Sequence, residues 1–221
     1  MKPTIQALHE SGQYQLVESF TIDEMSEFLA REAGLKKSTP ATSSVANVKS
    51  PKFWLLFLAS LLVGAFIGWL IGMVMDSAKA DAVLSPFWQI PLSVVVFFFP
   101  VLPLHEAIHA LFFKLLGAPK VGFGYSAKGL MVYAYAQRFV MTLRENALVA
   151  AMPFVLITAS LVGLLFLVPS LQTLWVFLLL VHTFGCLGDF ILIKHACRNR
   201  AVAMYTYDDL DEKRTYFFAA R

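Results

Sequence analysis

His105-Glu106-Ala107-Ile108-His109 places two imidazoles and a carboxylate within a few residues of one another. On a helix, positions i and i+4 share one face, so His105 and His109 can grip a single metal ion. Glu106 stands between them, with no evident structural partner of its own, where it can take a proton from water activated at that metal. The setting matters as much as the spacing. No charged residue occurs from Ala82 to Leu104, and Lys114 is the first cation after the motif. Ionisable groups at such a depth are costly without a partner, and they mark function.

The composition is that of a membrane protein. Of 221 residues, 58% are hydrophobic and 15% charged, against about 25% charged in soluble domains. The net charge of +3 comes without a basic stripe carrying interleaved aromatics, which excludes nucleic acid as a partner. The two cysteines, Cys186 and Cys197, do not form an extracellular disulfide framework. The first fifty or so residues are polar, so no cleaved leader is expected.

These features predict an all-α integral membrane fold: four transmembrane helices, a short β-hairpin between helices 2 and 3, and a small N-terminal cytoplasmic helix. Thr21 to Glu24 has capping-box spacing, and Met25, Phe28 and Leu29 follow at helical intervals up to Gly34. Phe53 to Met75 is uncharged and long enough to span, with Gly64, Gly68 and Gly72 on one packing face. The second span runs from about Phe87 to Leu116. As one straight helix it would be roughly 45 Å long, so Pro91, Pro100 and Pro103 are expected to kink or divide it. Residues 120–136 alternate loosely around Ser126-Ala127-Lys128-Gly129 and read as the hairpin, whose free edge could accept an extended peptide. Residues 146–188 carry no charge and are divided near Pro169 into a third helix, about Ala147 to Val168, and a fourth, about Thr173 to Ile193. Residues 201–221 read as a polar, aromatic tail. Lys and Arg cluster before the first span, between the second and third, and after the fourth, which puts both termini in the cytoplasm.

This topology sets depths. His105 and His109 lie nine and five residues before Lys114, and Asp189 lies five before Lys194 and nine before Arg198. Asp189 therefore shares the depth of the two histidines, and a dication held by His105, His109 and Asp189 has the three protein ligands usual for catalytic zinc. Pairing with Lys194 or Arg198 is the plainer reading of Asp189. Against it, the carboxylate stands at the unfavourable end of the fourth helix. His182, about two turns earlier, is a rival ligand or a polar lining group. Cys186, one turn from Asp189, is a further candidate beside the metal.

The run from His105 to Phe113, the Gly-rich hairpin after it, Met152-Pro153 in the next span and Gly188-Asp189 in the last resemble the small bacterial membrane proteins grouped as zincin peptidases, over about residues 95–215. More distantly the arrangement is similar to site-2-type intramembrane metalloproteases, whose later helix carries an N-P…D-G stretch. Here Phe190 follows Asp189, and Cys186-Leu187-Gly188 precedes it without proline. The resemblance implies Zn2+, peptide hydrolysis and a membrane-associated polypeptide substrate, in a multi-pass protein of the bacterial cytoplasmic membrane. The hydropathy pattern divides the chain into a head and linker (1–50), a four-helix metalloprotease-like domain (51–200) and a tail (201–221). The alternatives are a non-catalytic metal-binding scaffold and a small transporter or assembly factor.

Overall fold

Three apolar helical segments form the body of the described chain, and a small β-rich cap closes one end of them. The structure is a computed structural model that describes residues 2–34, 84–126 and 131–221. The expected first span, with Gly64, Gly68 and Gly72, lies outside the described residues.

Helix α1 (Ile5–Glu10), strand β1 (Tyr14–Thr21) and helix α2 (Met25–Glu32) make up the N-terminal part. Next comes α3 (Pro86–Val96), joined to α4 (Leu102–Leu115) by a π-helical turn over Phe97–Val101. The three proline positions do not cut this segment apart, and Pro86–Leu115 runs as one apolar helix of 30 residues. The distortion settles at Pro100. Proline lacks an N–H, and its ring crowds the carbonyl four residues back. A π turn absorbs both by inserting a residue. That turn ends just before His105.

Strands β2 (Val121–Ser126) and β3 (Met131–Ala136) pair antiparallel, Val121 opposite Ala136 and Ser126 opposite Met131. Strand β4 (Met141–Thr142) leads into α5 (Leu143–Leu167). This helix starts earlier than its apolar run suggests. Thr142 and Glu145 form a reciprocal capping box, which satisfies the first backbone N–H groups and lets Arg144 to Asn146 form a polar first turn.

Helices α6 (Gln172–Gly185) and α7 (Leu187–Arg198) take the place of the single fourth helix. They meet at Cys186 with a 48° bend. A Cβ on Gly185 would sit 2.9 Å from the Phe97 ring, so glycine is what allows α6 to end against the π turn. The described chain thus holds two helices long and apolar enough to cross a membrane, or three if the bent pair counts as one.

Phe97, Val101 and Ile108 pack between Ile157 and Leu161 of α5 and Leu174 and Leu178 of α6. At the far end of this layer Gln89 is fully buried. Its amide donates to the Leu84 carbonyl at 2.6 Å and accepts from the Leu174 N–H at 3.0 Å, which caps the start of α6. Phe98, Phe99, Val155 and Phe166 remain exposed on the outer surface, as lipid-facing residues are.

The expectation of an all-α fold is too narrow. Strands β5 (Met204–Asp209) and β6 (Arg214–Ala220) form a hairpin, and with β1 and β4 they build an antiparallel sheet in the order β1-β6-β5-β4. Tyr14 pairs with Ala220 and Thr21 with Arg214, so the two ends of the chain share one sheet. Alternation gives the sheet two faces. Tyr207 and Phe218 pack under Leu8 of α1. Phe20, Met204 and Phe217 face Phe28 of α2 and Ala196 of α7. The Phe20 and Phe28 rings stack at 4.6 Å, which locks α2 onto the sheet.

Candidate metal centre

His105, Glu106 and His109 are all buried on α4, although they lie only a few residues from cationic Lys114. Burial follows from position: the face that carries them turns toward α5 and the cap, while Leu104 and Leu111 turn outward. His109 Nδ1 donates to the Val149 carbonyl of α5 at 3.1 Å. A carbonyl can only accept, so Nδ1 carries the proton and Nε2 offers a lone pair. This is the usual outer support of a metal-binding histidine.

Both Nε2 atoms converge with the Asp189 carboxylate. His105 Nε2 lies 3.1 Å from Asp189 Oδ2, and His109 Nε2 lies 3.4 Å from Asp189 Oδ1. The two Nε2 atoms are 3.1 Å apart. Neighbouring donors around a tetrahedral zinc with bonds of about 2.0–2.1 Å are themselves ~3.3 Å apart. The donor set has the right types and the right edges, and the three side chains form a group that could hold a metal ion. A metal cation or a shared proton relieves three electron-rich atoms brought this close.

The break at Cys186 changes the reading of Asp189. The carboxylate does not stand at the unfavourable end of a long helix. It lies in the first turn of α7, where the positive end of the helix dipole favours it. Lys194 and His195 are engaged elsewhere: Lys194 donates to the Glu32 carbonyl at 3.0 Å and His195 pairs with the Glu32 carboxylate at 3.1 Å. Asp189 is left to the histidines.

His182 and Cys186 do not join Asp189. They form a second group with His105, on the far side of its ring. Cys186 Sγ lies 3.9 Å from His105 Nδ1 and 3.7 Å from His182 Nε2. The His182 ring is fully buried and stacks on Phe154 at 6.2 Å. Both residues back His105 rather than face the cavity.

Glu106 does have a structural partner. Its Oε2 accepts the Ala134 N–H of β3 at 2.7 Å. In the hairpin, Ala134 stands opposite Phe123, and its N–H points away from β2 toward α4. The site opens into a cavity of about 230 Å³ bounded by α2, α4, α5, α7, the edge of β3 and the sheet. Asn146, Tyr133, Thr206, Asp208, Thr215 and Phe217 line it, and none of these stood out in the sequence. The signal was the alternation of Thr, Tyr and Phe in residues 204–209 and 214–220 around a charged turn, a hairpin pattern.

Residues 98–204 match the family model described as "Putative zincin peptidase". Over this segment, just under half of the chain, the sequence is similar to that family. The zincin segment takes in the π turn, α4, the β2–β3 hairpin, α5, both halves of the bent pair and the first residue of β5. It therefore contains both histidines, Glu106, His182, Cys186 and Asp189. No curated protein and no solved structure gives a match to the chain.

Proposed function

We propose that this protein is a membrane-embedded zinc metallopeptidase that cleaves membrane-associated polypeptides. The observation that carries the reading is the convergence of His105 Nε2, His109 Nε2 and the Asp189 carboxylate beside Glu106 in one cavity. These three residues would hold zinc. Bound there, the metal supplies a Lewis acid for the scissile carbonyl and makes water a better nucleophile near neutral pH.

The rest is done by the chain. The Ala134 N–H anchors Glu106 Oε2 and leaves Oε1 for the cavity. Oε1 takes the proton of the attacking water as oxygen bonds to the carbonyl carbon. The same carboxyl then gives that proton to the departing amine nitrogen as the C–N bond breaks. The edge of β3 away from β2 presents Val132 and the Ala134 carbonyl, while the Ala134 N–H is held by Glu106 and the Ala136 carbonyl accepts the Phe139 N–H. An extended peptide can pair with such an edge as an added strand, which draws its carbonyl across the site.

A location in a bacterial cytoplasmic membrane, with both termini in the cytoplasm, fits the Lys and Arg distribution. Parity supports it as well. β1 and β6 share a sheet, so the chain between them crosses an even number of times. With the bent pair as one, the described residues offer three candidate crossings, and a fourth would bring both ends to one side. The uncharged stretch 53–75 can supply it.

The test is metal content and peptide cleavage by the purified full-length protein, wild type against Glu106→Gln. A peptidase keeps its zinc and loses cleavage in the variant. Zinc without cleavage of any membrane peptide by the wild type favours the non-catalytic scaffold. Metal-coupled flux without proteolysis favours the transporter.

A further inference from the structure

The cavity has a wall that this chemistry does not use. One face of the sheet forms it: Thr206 and Asp208 of β5, with Phe217 and Thr215 opposite them in register on β6. Asp208 is the charged residue of that wall. Its Oδ1 accepts the Thr215 hydroxyl at 2.7 Å. The hydroxyl fixes the carboxylate and leaves Oδ2 without a hydrogen bond among the described residues. No Lys or Arg lines the cavity among the described residues. The neighbouring cation Arg138 turns its guanidinium to Asp209, on the other face of β5. Burial pushes the Asp208 carboxyl up from its ordinary range, and the Thr215 hydroxyl only partly offsets this.

Three carboxylates thus line one cavity, and two are accounted for. Asp189 faces the histidines, and Glu106 has the Ala134 N–H. Asp208 has one neutral hydroxyl. A carboxylate removed from water is costly unless a counter-charge meets it. Protonation can neutralise Asp208 in the empty cavity, and an entering cation is the partner that would keep it charged.

We propose that Asp208 selects the substrate. The cavity takes polypeptides that set a cationic nitrogen, a Lys or Arg side chain or a free α-ammonium, against Asp208 while a nearby peptide bond lies over His105, His109 and Asp189. This rests on the peptidase reading above and adds the substrate class. Asp208 lines the same cavity as Val132 to Tyr135 of β3.

The test uses full-length protein in lipid vesicles and a series of matched peptides. Each carries Lys, Arg, Gln or Glu at successive positions, with its N-terminus free or acetylated. Cleavage is followed by mass spectrometry in wild type, Asp208→Asn and Asp208→Lys. Binding of the same peptides is measured on Glu106→Gln, with and without Asp208→Asn. Asparagine can still accept the Thr215 hydroxyl, and metal content reports folding. A charge-assisted contact predicts a preference for Lys or Arg over Gln of about ten- to a hundredfold. Asp208→Asn should bring the ratio near one, and Asp208→Lys should turn it toward Glu. A preference that moves with acetylation assigns the site to the α-ammonium. One that persists after acetylation assigns it to the side chain. Equal handling of Lys and Gln peptides by the wild type overturns the proposal, whether or not the Asp208 variants fold. Cleavage without basic preference removes the Asp208 role and leaves the peptidase. Basic-selective binding without cleavage removes the peptidase and leaves the Asp208 site. Neither binding nor cleavage removes both.

Discussion

Glu106 and Ala134 are joined from helix to strand: Glu106 Oε2 on α4 accepts the Ala134 N–H of β3 at 2.7 Å. The bond ties the proposed proton carrier to the strand whose edge would receive substrate. Holding one oxygen leaves the other with a defined direction, and a general base acts through geometry before acidity.

Two substitutions separate the chemistry of Glu106 from its positioning. Glu106→Gln keeps the shape and an acceptor for Ala134 but removes the base, so zinc should remain while cleavage falls by about 10²–10⁴. Ala134→Pro removes the N–H that anchors Glu106, and its ring carbon pushes Oε2 out of that position. That N–H points out of the ladder, where proline is tolerated. Zinc content should hold, kcat should fall on the order of tenfold with KM little changed, and the alkaline and acid limbs of the rate profile should shift. An unchanged profile in Ala134→Pro would show that the bond does not position Glu106.

Metal content tests the donor set. His105→Ala, His109→Ala and Asp189→Ala each remove one of three ligands and should strip most zinc from the purified protein. His182→Ala should leave zinc in place, because His182 backs His105 from the far side and is not grouped with Asp189. If the His182 variant loses zinc while the Asp189 variant keeps it, the metal sits in the second group with Cys186.

Much of the site was legible because helical spacing and depth are local quantities. His105 and His109 share a face by arithmetic, and counting residues to Lys114 and Lys194 brings Asp189 level with them. The break at Cys186 was not legible. It involves the close approach of Phe97 to Gly185, residues far apart in sequence. The four-stranded sheet was missed for a similar reason. Tyr14 finds Ala220 across nearly the whole chain, and each strand alone is a short aromatic-rich segment. Asp208 followed the sheet into obscurity. In sequence it belongs to an acidic tail, and only the pairing with Thr215 turns it toward the cavity.

Side-specific labelling tests the topology. In a Cys197→Ser background, a cysteine at Lys213, in the turn between β5 and β6, should resist a membrane-impermeant thiol reagent in intact cells. One at Ser170, in the link between α5 and α6, should react. Cys186 is fully buried and stays silent. An externally reactive Lys213 site would invert the orientation and place the cavity on the opposite side.

Acid should loosen the cap through Asp209. Burial works to raise this carboxyl, but hydrogen bonds from Arg138 Nε at 2.7 Å and Gln137 Nε2 at 3.1 Å outweigh it and hold it below its ordinary range. These bonds tie the β5–β6 hairpin to the segment that follows β3. A carboxyl depressed in the folded state binds protons more weakly than in the unfolded chain. Its stabilisation is complete above the unfolded value of about 3.9 and is lost as pH falls through the lower folded value. The cap, followed by tyrosine fluorescence on heating, should therefore lose stability only as pH falls below about 4. Asp209→Asn should lower Tm by a few degrees at pH 7 and flatten that acid limb, while Asp208→Asn should leave the acid limb in place. If the Asp209 variant keeps the same acid dependence as wild type, the ion pair with Arg138 does not hold the hairpin, and the linkage lies with another carboxylate.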